Sequence, residues 1–565
     1  MRKMEKQRYI EVMKSALSAY TDEHIKAYFE RVKKEGITEH GFPRLTANIG
    51  ILLCRGHREN LYPLFLEMMD FCVAEVQLPR TDATRWAGND FSVKELIFCL
   101  LEVEKCGLVP KERCDAWRRG LAKIEAENTY SQWAKKSSDI VNNWAVFTAT
   151  SECMRKYIGL AETTDFCDLQ ISSQTRYIDY NGMYRDPHEP MVYDLVTRGL
   201  FAVMLHFGYD GLYKELLDNA LRKSGLLTLK MQSVSGEIPF GGRSAQFPHN
   251  EAHLAIVCEF EANRYHREGN EALASLFKAR AELALENIEY WMQKTPIRHI
   301  KNRYPTESGF GCEDYAYFDK YMITVASFIY VAYLFSDDEI EAVDQPREAS
   351  VTFTSEHFHK CFMEAGDYFL EFELFSYEKY DEDGLGRIHK KGAPSTLCLS
   401  DSMTAAPNFK LEHPRAASMA PGYEKNGETF LALSHLATYR PYATHAENGA
   451  ASVRMLSEFE DETILSHDYA VSADGVDITV KEATHTGVAP RFSFLAFDFD
   501  GEVSTEIEIG EKCVSVIYEG WKCTYETNGR IIETGEYAEN RNGRYRLFYA
   551  AADTELKLHI SIGKA

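Results

Sequence analysis

Tyr321-Met-Ile-Thr-Val-Ala-Ser-Phe-Ile-Tyr-Val-Ala-Tyr-Leu-Phe335, with the polar breaks Ser336-Asp-Asp-Glu339 and Asp344-Gln-Pro346 behind it, divides the chain into two kinds of pattern. A helix apolar on every side needs neighbours on both flanks. Asp319, Lys320, Asp337 and Asp338 bound the run tightly, leaving it short of the ~20 residues of a spanning helix. Upstream, apolar residues recur at helical spacing. Over 248–266, Ala255, Cys258, Ala262 and Tyr265 keep a three-four rhythm that stops at Gly269. Downstream the period falls to two. Val351-Thr-Phe-Thr, Phe369-Leu-Glu-Phe-Glu-Leu-Phe, Val476-Asp-Ile-Thr-Val, Ser515-Val-Ile-Tyr and Leu556-Lys-Leu-His-Ile-Ser-Ile read as strands, with turns at Asp383-Gly384 and Asn528-Gly529. Helices first and strands afterwards predict an α+β multidomain protein, divided into 1–342 and 343–565.

The helical part has a coarse rhythm. Six loops end near Phe42, Asp90, Asn142, Pro190, His249 and Asp314, each running into an apolar helix. Two helices of ~15 residues and two loops fill each interval. Six such pairs predict an (α/α)6 toroid, with the alternative of an open solenoid of hairpins. Residues 321–335 suit an inner helix; 190–206 suit one less cleanly. The second part is expected to be an antiparallel β-sandwich.

The charge of -23 over 565 residues is the wrong sign for a nucleic-acid binder. A hydrophobic content of 45% excludes a disordered chain. No apolar run of signal-peptide length follows the start, so the expectation is a cytoplasmic protein with neither a membrane nor a nucleic-acid partner. The thirteen cysteines include no Cys-x-x-Cys and read as reduced, buried small hydrophobes. An aromatic content of 12% is compatible with a homo-oligomer.

Closure of the toroid would gather the loops entering the inner helices at one mouth. They carry Trp86 with Asn89 and Asp90, Asn142-Asn143-Trp144, Tyr184-Arg185-Asp186-Pro187-His188-Glu189, Gly241-Gly242-Arg243-Ser244 leading to His249-Asn250-Glu251, and Cys312-Glu313-Asp314-Tyr315-Ala316-Tyr317. Rings beside amides, carboxylates and arginines suit a sugar. Two glycines allow close backbone approach, and Arg243 then offers a planar fork to a carboxylate. Arg176, Arg185 and Arg303 lie in or near the same loops. Glu251 shares the small-residue face of Ala255, Cys258 and Ala262, where burial would raise its pKa and suit a general acid. Asp314 also reads as a helix N-cap. His249-x-Glu251-x-His253 lacks the zinc-protease spacing, so neither a metal nor a cofactor is expected. His357 and His359 read as a structural pair on a strand, Gly384-Leu-Gly386-Arg387 as a turn, and 380–394 as a surface hairpin.

The arrangement resembles carbohydrate-active proteins with a helical toroid followed by an antiparallel β-sandwich. It is similar to the family-154 glycoside hydrolases, a group associated with β-glucuronidase activity, and also to the heparinase- and alginate-lyase-like polysaccharide lyases. The resemblance rests on Gly241-Gly-Arg-Ser244 with Asn250-Glu251, on Lys301-Asn-Arg303-Tyr followed by Gly311-Cys-Glu313-Asp314-Tyr315, and on Gly384-Leu-Gly386-Arg387. It implies hydrolysis of a terminal uronic acid from an oligo- or polysaccharide by two carboxyl groups, ~5–5.5 Å apart for retention or ~6.5–9.5 Å for inversion. Glu251 with Glu313 or Asp314 is the expected pair, and Arg243 the uronate partner. The alternative is β-elimination. There Asn143 or Arg243 would neutralise the uronate, and His249, His188, Tyr315 or Tyr317 would move the protons. A non-catalytic sugar-binding scaffold is the third reading.

Overall fold

The computed structural model of the protein describes residues 6–78, 86–131, 143–343, 345–484 and 486–565, with backbone alone for 86–88. Its helices are α1 (Gln7–Leu17), α2 (Asp22–Glu35), α3 (Gly41–Leu53), α4 (Tyr62–Glu75), α5 (Trp86–Cys106), α6 (Lys111–Ala122), α7 (Ala126–Thr129), α8 (Asn143–Tyr157), α9 (Thr164–Ser172), α10 (Met191–His206), α11 (Lys214–Met231), α12 (His249–Arg267), α13 (Glu271–Met292) and α14 (Phe318–Phe335).

Six of them form a closed ring. α3 packs on α5, α5 on α8, α8 on α10, α10 on α12, α12 on α14, and α14 returns to α3. The outer partners are α4, α6, α9, α11, α13 and, closing the circle from the other end of the sequence, α1 against α14. That last contact distinguishes a toroid from an open solenoid. Inner helices are buried almost throughout: every residue of α3, and Tyr321 to Ala332 of α14. By length and hydropathy α14 would also pass for a membrane-crossing helix; here its apolar surface faces ring neighbours. α10, the segment that suited the pattern less cleanly, is an inner helix too, its Asp194 and Arg198 neutralising each other in the interior at 2.6 Å. An outer helix such as α11 buries one side, with Leu217, Ala220, Leu221, Ser224, Gly225, Thr228, Leu229 and Met231. Ten of the thirteen cysteines are buried.

The helices end at Phe335 and the strands begin at Ser350. Among the described residues three antiparallel sheets follow. The first runs in chain order: β1 (Ser350–Phe353), β2 (Lys360–Ala365), β3 (Tyr368–Glu373) and β4 (Gly384–Lys390). The second has eight strands, in spatial order Glu506–Ile509, Cys513–Tyr518, Trp521–Thr527, Glu555–Lys564, Val476–Glu482, Ile464–Val471, Ala450–Phe459 and Ala437–Glu447. The third has five: Arg530–Asn540, Gly543–Ala551, Ala489–Phe499, Pro421–Lys425 and Glu428–Leu431. All share one core, in which Phe494 stacks between Tyr525 and Phe548. Met183, Met191, Met231 and Val234 of the toroid meet Phe358, Phe362 and Phe369, so the first sheet is packed directly on the helices.

Two sequence expectations fail at this junction. Gly384-Leu-Gly386-Arg387 is strand, not turn, and most of the supposed surface hairpin 380–394 is buried. Gly386 is needed because a Cβ there would collide with the Phe240 ring, and Arg387 is neutralised by Glu371 at 3.0 Å and Glu237 at 3.4 Å. His357 and His359 lie in the turn between β1 and β2, not on a strand. Period-two patterning cannot tell a turn from a strand when the neighbouring domain, not solvent, lies against it.

Candidate active site at the mouth of the toroid

A cavity of about 560 Å³ opens where the six inner helices begin. His40 and Arg44 reach it from the start of α3, Phe91 from α5, Asn143 and Trp144 from α8, Tyr193 from α10, His249 and His253 from α12, and Tyr321 and Thr324 from α14. Six helix N-termini converging on one hollow point the positive ends of their dipoles at it, which favours an anion.

One wall is the strap 238–244, whose alternate amides are each held by a different buried carboxylate. Ile238 donates to Glu251 at 3.2 Å, Phe240 to Glu371 at 3.0 Å, Gly242 to Asp381 at 3.0 Å and Ser244 to Glu313 at 2.7 Å. Gly242 sits at φ +82, and a Cβ on it would strike Pro190. Cations pair with three of these acids: Lys301 reaches Glu251 at 2.8 Å, Lys360 reaches Glu371 at 3.3 Å, and Arg541 reaches Glu313 at 2.7 Å.

Of the strap, Arg243 lines the hollow, and Ser244 joins three phenols, two of which, Tyr193 and Tyr321, come from inner helices. Ser244 Oγ lies 3.1 Å from Tyr193 Oη, 3.1 Å from Tyr315 Oη and 2.9 Å from Tyr321 Oη. A serine hydroxyl has one proton and two lone pairs. At most two phenols therefore donate to Ser244 at once, and Tyr193 and Tyr321 also bond each other. Burial pushes all three phenols above their ordinary pKa, helped by the Glu313 charge, so they hold their protons at neutral pH. His249 packs edge-on to Tyr321 at 4.7 Å. Burial and then the Arg44 charge bring its pKa down to about 3, so the ring is neutral, and its Nδ1 has no hydrogen-bond partner. Asp186 joins two other groups. It accepts from the Asn143 backbone at 2.8 Å and from Asn143 Nδ2 at 3.2 Å, and its second oxygen is bonded to Arg243. The Arg243 guanidinium lies 4.5 Å over the Tyr193 ring.

Of the residues singled out in the sequence, Arg243, Asn143, Trp144, His249 and Tyr315 line the cavity together. The expected acids do not. Glu251 is fully buried behind the strap in its ion pair with Lys301, and Glu313 behind Ser244 with Arg541. Asp314 is exposed in a turn, and α14 starts four residues later with Tyr317 at its N-cap, so Asp314 caps nothing. Tyr317 is exposed beside the rim but not in the lining. Arg185 turns away to His357 at 3.0 Å, and His188 stacks on Tyr377 at 4.2 Å outside the cavity. Asn142 and the Trp86 side chain lie outside the described residues. Sequence reasoning missed Tyr193, Tyr321, Arg44 and the linking role of Ser244. The available signal was position: Tyr193 and Tyr321 each fall in the first turn of an inner helix, like His249.

Comparison with solved structures places this architecture. The fold resembles that of heparinase III. The superposition gives a TM-score of 0.51 at 7% identity over 92% of this chain and 77% of the heparinase chain. Two further similar structures are a mutant of the heparan sulfate lyase HepC from Pedobacter heparinus, with a TM-score of 0.49 at 8% identity over 93% of this chain and 76% of that one, and the Streptomyces coelicolor A3 chondroitin AC lyase in complex with chondroitin sulphate, with 0.43 at 11% over 98% and 82%. No family model matches the chain, and no curated protein matches it by sequence. The toroid-plus-sheets architecture is thus shared with heparinase III, while the resemblance to the family-154 hydrolases finds no counterpart among these structures.

Proposed function

We propose that the protein is a polysaccharide lyase that cleaves uronate-containing glycans by β-elimination. The observation that carries this reading is the composition of the cavity. Among the described residues its lining holds a neutral histidine, linked phenols, Asn143 and Arg243, but only one carboxylate, Glu39. Hydrolysis of the kind the family-154 resemblance implies needs two facing carboxyl groups. The expected candidates, Glu251 and Glu313, are committed to the back of the strap.

In the proposed step the uronate carboxylate lies against Arg243 and Asn143, which Asp186 holds side by side. Neutralising that charge acidifies the proton on the adjacent carbon, C5. His249 takes this proton, the electron pair forms the C4–C5 double bond, and the C4–O bond breaks. A phenol from the Ser244 cluster returns a proton to the departing oxygen. An anionic substrate beside His249 favours the imidazolium, so binding itself strengthens the base. The heparinase III likeness supports this at the level of fold.

The deciding experiment incubates the purified chain with hyaluronan, heparan sulfate, chondroitin sulfate and alginate and follows ultraviolet absorbance. Elimination leaves a conjugated double bond, and hydrolysis leaves none. Released reducing ends without a rise in absorbance would reject the lyase and restore the hydrolase.

A further inference from the structure

Cys54 caps the end of α3, and Cys106 is the last residue of α5. Both are inner helices that begin at the mouth, so the two thiols stand at the opposite end of the ring from the cavity. The helices approach closely along this stretch: a Cβ on Gly50 would strike the Cys99 sulfur. Cys54 follows Gly50 by four residues and Cys106 follows Cys99 by seven, so each thiol lies on the face its helix turns to the other. Arg55 bonds Glu102 across the same contact at 2.9 Å. The Cys54 and Cys106 thiols come within hydrogen-bond reach of each other. Both backbones are pinned. The Cys54 N–H donates to Gly50 at 3.1 Å, and beyond Cys106 the Leu108 N–H turns back to Val103 at 3.2 Å. Cys106 is exposed, Cys54 is half-buried, and the Cys106 sulfur has a loose contact with the Val103 carbonyl at 3.6 Å. A second pair, Cys398 with Cys523, is also within hydrogen-bond reach, but its members are 1% and 0% exposed in the core of the sheets. That pair has contact without access; the pair at the end of the ring has both.

We propose that Cys54 and Cys106 form a redox modification site, at which a small disulfide converts the two thiols into one intramolecular bond joining the ends of α3 and α5, while Cys398 and Cys523 stay reduced. The site is independent of what the cavity binds. Cys106, being exposed, meets the oxidant first. Its thiolate attacks one sulfur of the small disulfide, that S–S bond breaks, a small thiolate leaves, and Cys106 carries a mixed disulfide. Cys54 then gives up its proton to solvent and attacks the Cys106 sulfur. The new S–S bond forms as the mixed one breaks, and the second small thiolate leaves. Two electrons pass from the pair to the small disulfide, and two protons are released. Burial and then the neighbouring thiol raise the Cys54 pKa, so the closing step is the slow one and speeds up with rising pH. The bond staples two adjacent inner helices and closes the chain between them into a loop, which restricts the unfolded state.

The test needs no turnover. The full chain, reduced and desalted, is incubated with glutathione disulfide at mildly alkaline pH in native buffer. Its remaining thiols are then alkylated in denaturant, and its peptides are mapped by mass spectrometry without reduction. Wild type should yield one linked peptide pair, Cys54 to Cys106, with Cys398 and Cys523 recovered as alkylated thiols. Cys54→Ser should stop at the mixed disulfide, with one glutathione held on Cys106, and Cys106→Ser should yield no linked pair. The linked chain should melt at a higher temperature than the reduced one, and dithiothreitol should reverse the rise. A wild-type chain that keeps both thiols free, that holds glutathione on Cys106 without closing, or that joins Cys106 to a second chain overturns the site. Equal oxidation of Cys398 and Cys523 in the folded chain overturns it as well, because exposure would then select nothing.

Discussion

The two sides of the 238–244 strap hold opposite kinds of chemistry. Behind it, four carboxylates each spend an oxygen on a backbone amide, and cations take up charge beside them. In front of it, beside the paired Arg44 and Arg243, stand His249 with an unbonded Nδ1 and three phenols sharing one serine hydroxyl. Acidic residues in loops at the mouth of a toroid invite a catalytic reading, yet here Glu251 and Glu313 hold the wall from behind. Glu251 too has one unbonded oxygen and a pKa raised by burial, but it is held in an ion pair with Lys301 and lies outside the cavity lining. A buried neutral group with a free valence is a good proton carrier.

The sharpest way to break this contrast is on the cavity side. His249→Ala should lower kcat by ~10²–10⁴, the range for a lost general base, with the fold retained by circular dichroism. Activity near wild type would move the base elsewhere. On the other side, Glu313→Gln should cost about 3–5 kcal/mol of stability in chemical denaturation, because it leaves Arg541 buried without its charge partner. Glu251→Gln should also act through melting temperature, through Lys301. A Glu251→Gln protein with unchanged stability and no turnover would return the carboxylate to catalysis and undo the comparison.

Smaller effects sharpen it. Tyr193→Phe and Tyr315→Phe should differ in steady-state kcat. The phenol that donates to the leaving oxygen should cost ~10² or more, and the other should cost much less because Ser244 keeps a second donor. Equal losses would mean that the cluster acts as one unit. The smallest effect concerns pH. Burial brings His467, in the sheet domain, down to about 3, against about 6.5 in the unfolded chain. As pH falls below 6.5 the unfolded state gains a proton that the folded state refuses until about 3. His467 therefore withdraws stability over that window, by at most ~1.4 kcal/mol per pH unit. The stability deficit of His467→Gln relative to wild type, measured by denaturant titration, should narrow as the buffer is acidified from 6.5 and stay constant above it.

Much of the fold could be read from pattern. The all-round apolar run 321–335 announced an inner helix because burial on both flanks removes the polar stripe, and the loops ending near Asn142, Pro190 and His249 stand immediately before α8, α10 and α12. Strands such as Val476-Asp-Ile-Thr-Val alternate because one face meets the core. The reading failed where two domains meet. Arg387 and Asp381 looked like solvent-facing residues of a hairpin, and nothing local reveals that Glu371 and the strap will cover them. Part of the site was legible for the same reason: Arg243, Asn143, Trp144, His249 and Tyr315 stand at the helix entrances the rhythm marks. Glu251 shows the limit of such reasoning. Its helical face was correct, but burial on a small-residue face is equally good for a general acid and for an ion-paired strut.

The sequence by itself determined the helical-then-strand order, the six-fold rhythm and the set of loops that meet at one end, since each follows from short-range periodicity and the cost of exposing apolar surface. Only the tertiary structure decided that the sheets divide into three, that the carboxylates turn backward, and that histidine and phenols turn inward. Those outcomes depend on partners more than a hundred residues away, Arg541 for Glu313 and Asp381 for Gly242 among them, and on which of several acids reaches a cation before it reaches the cavity.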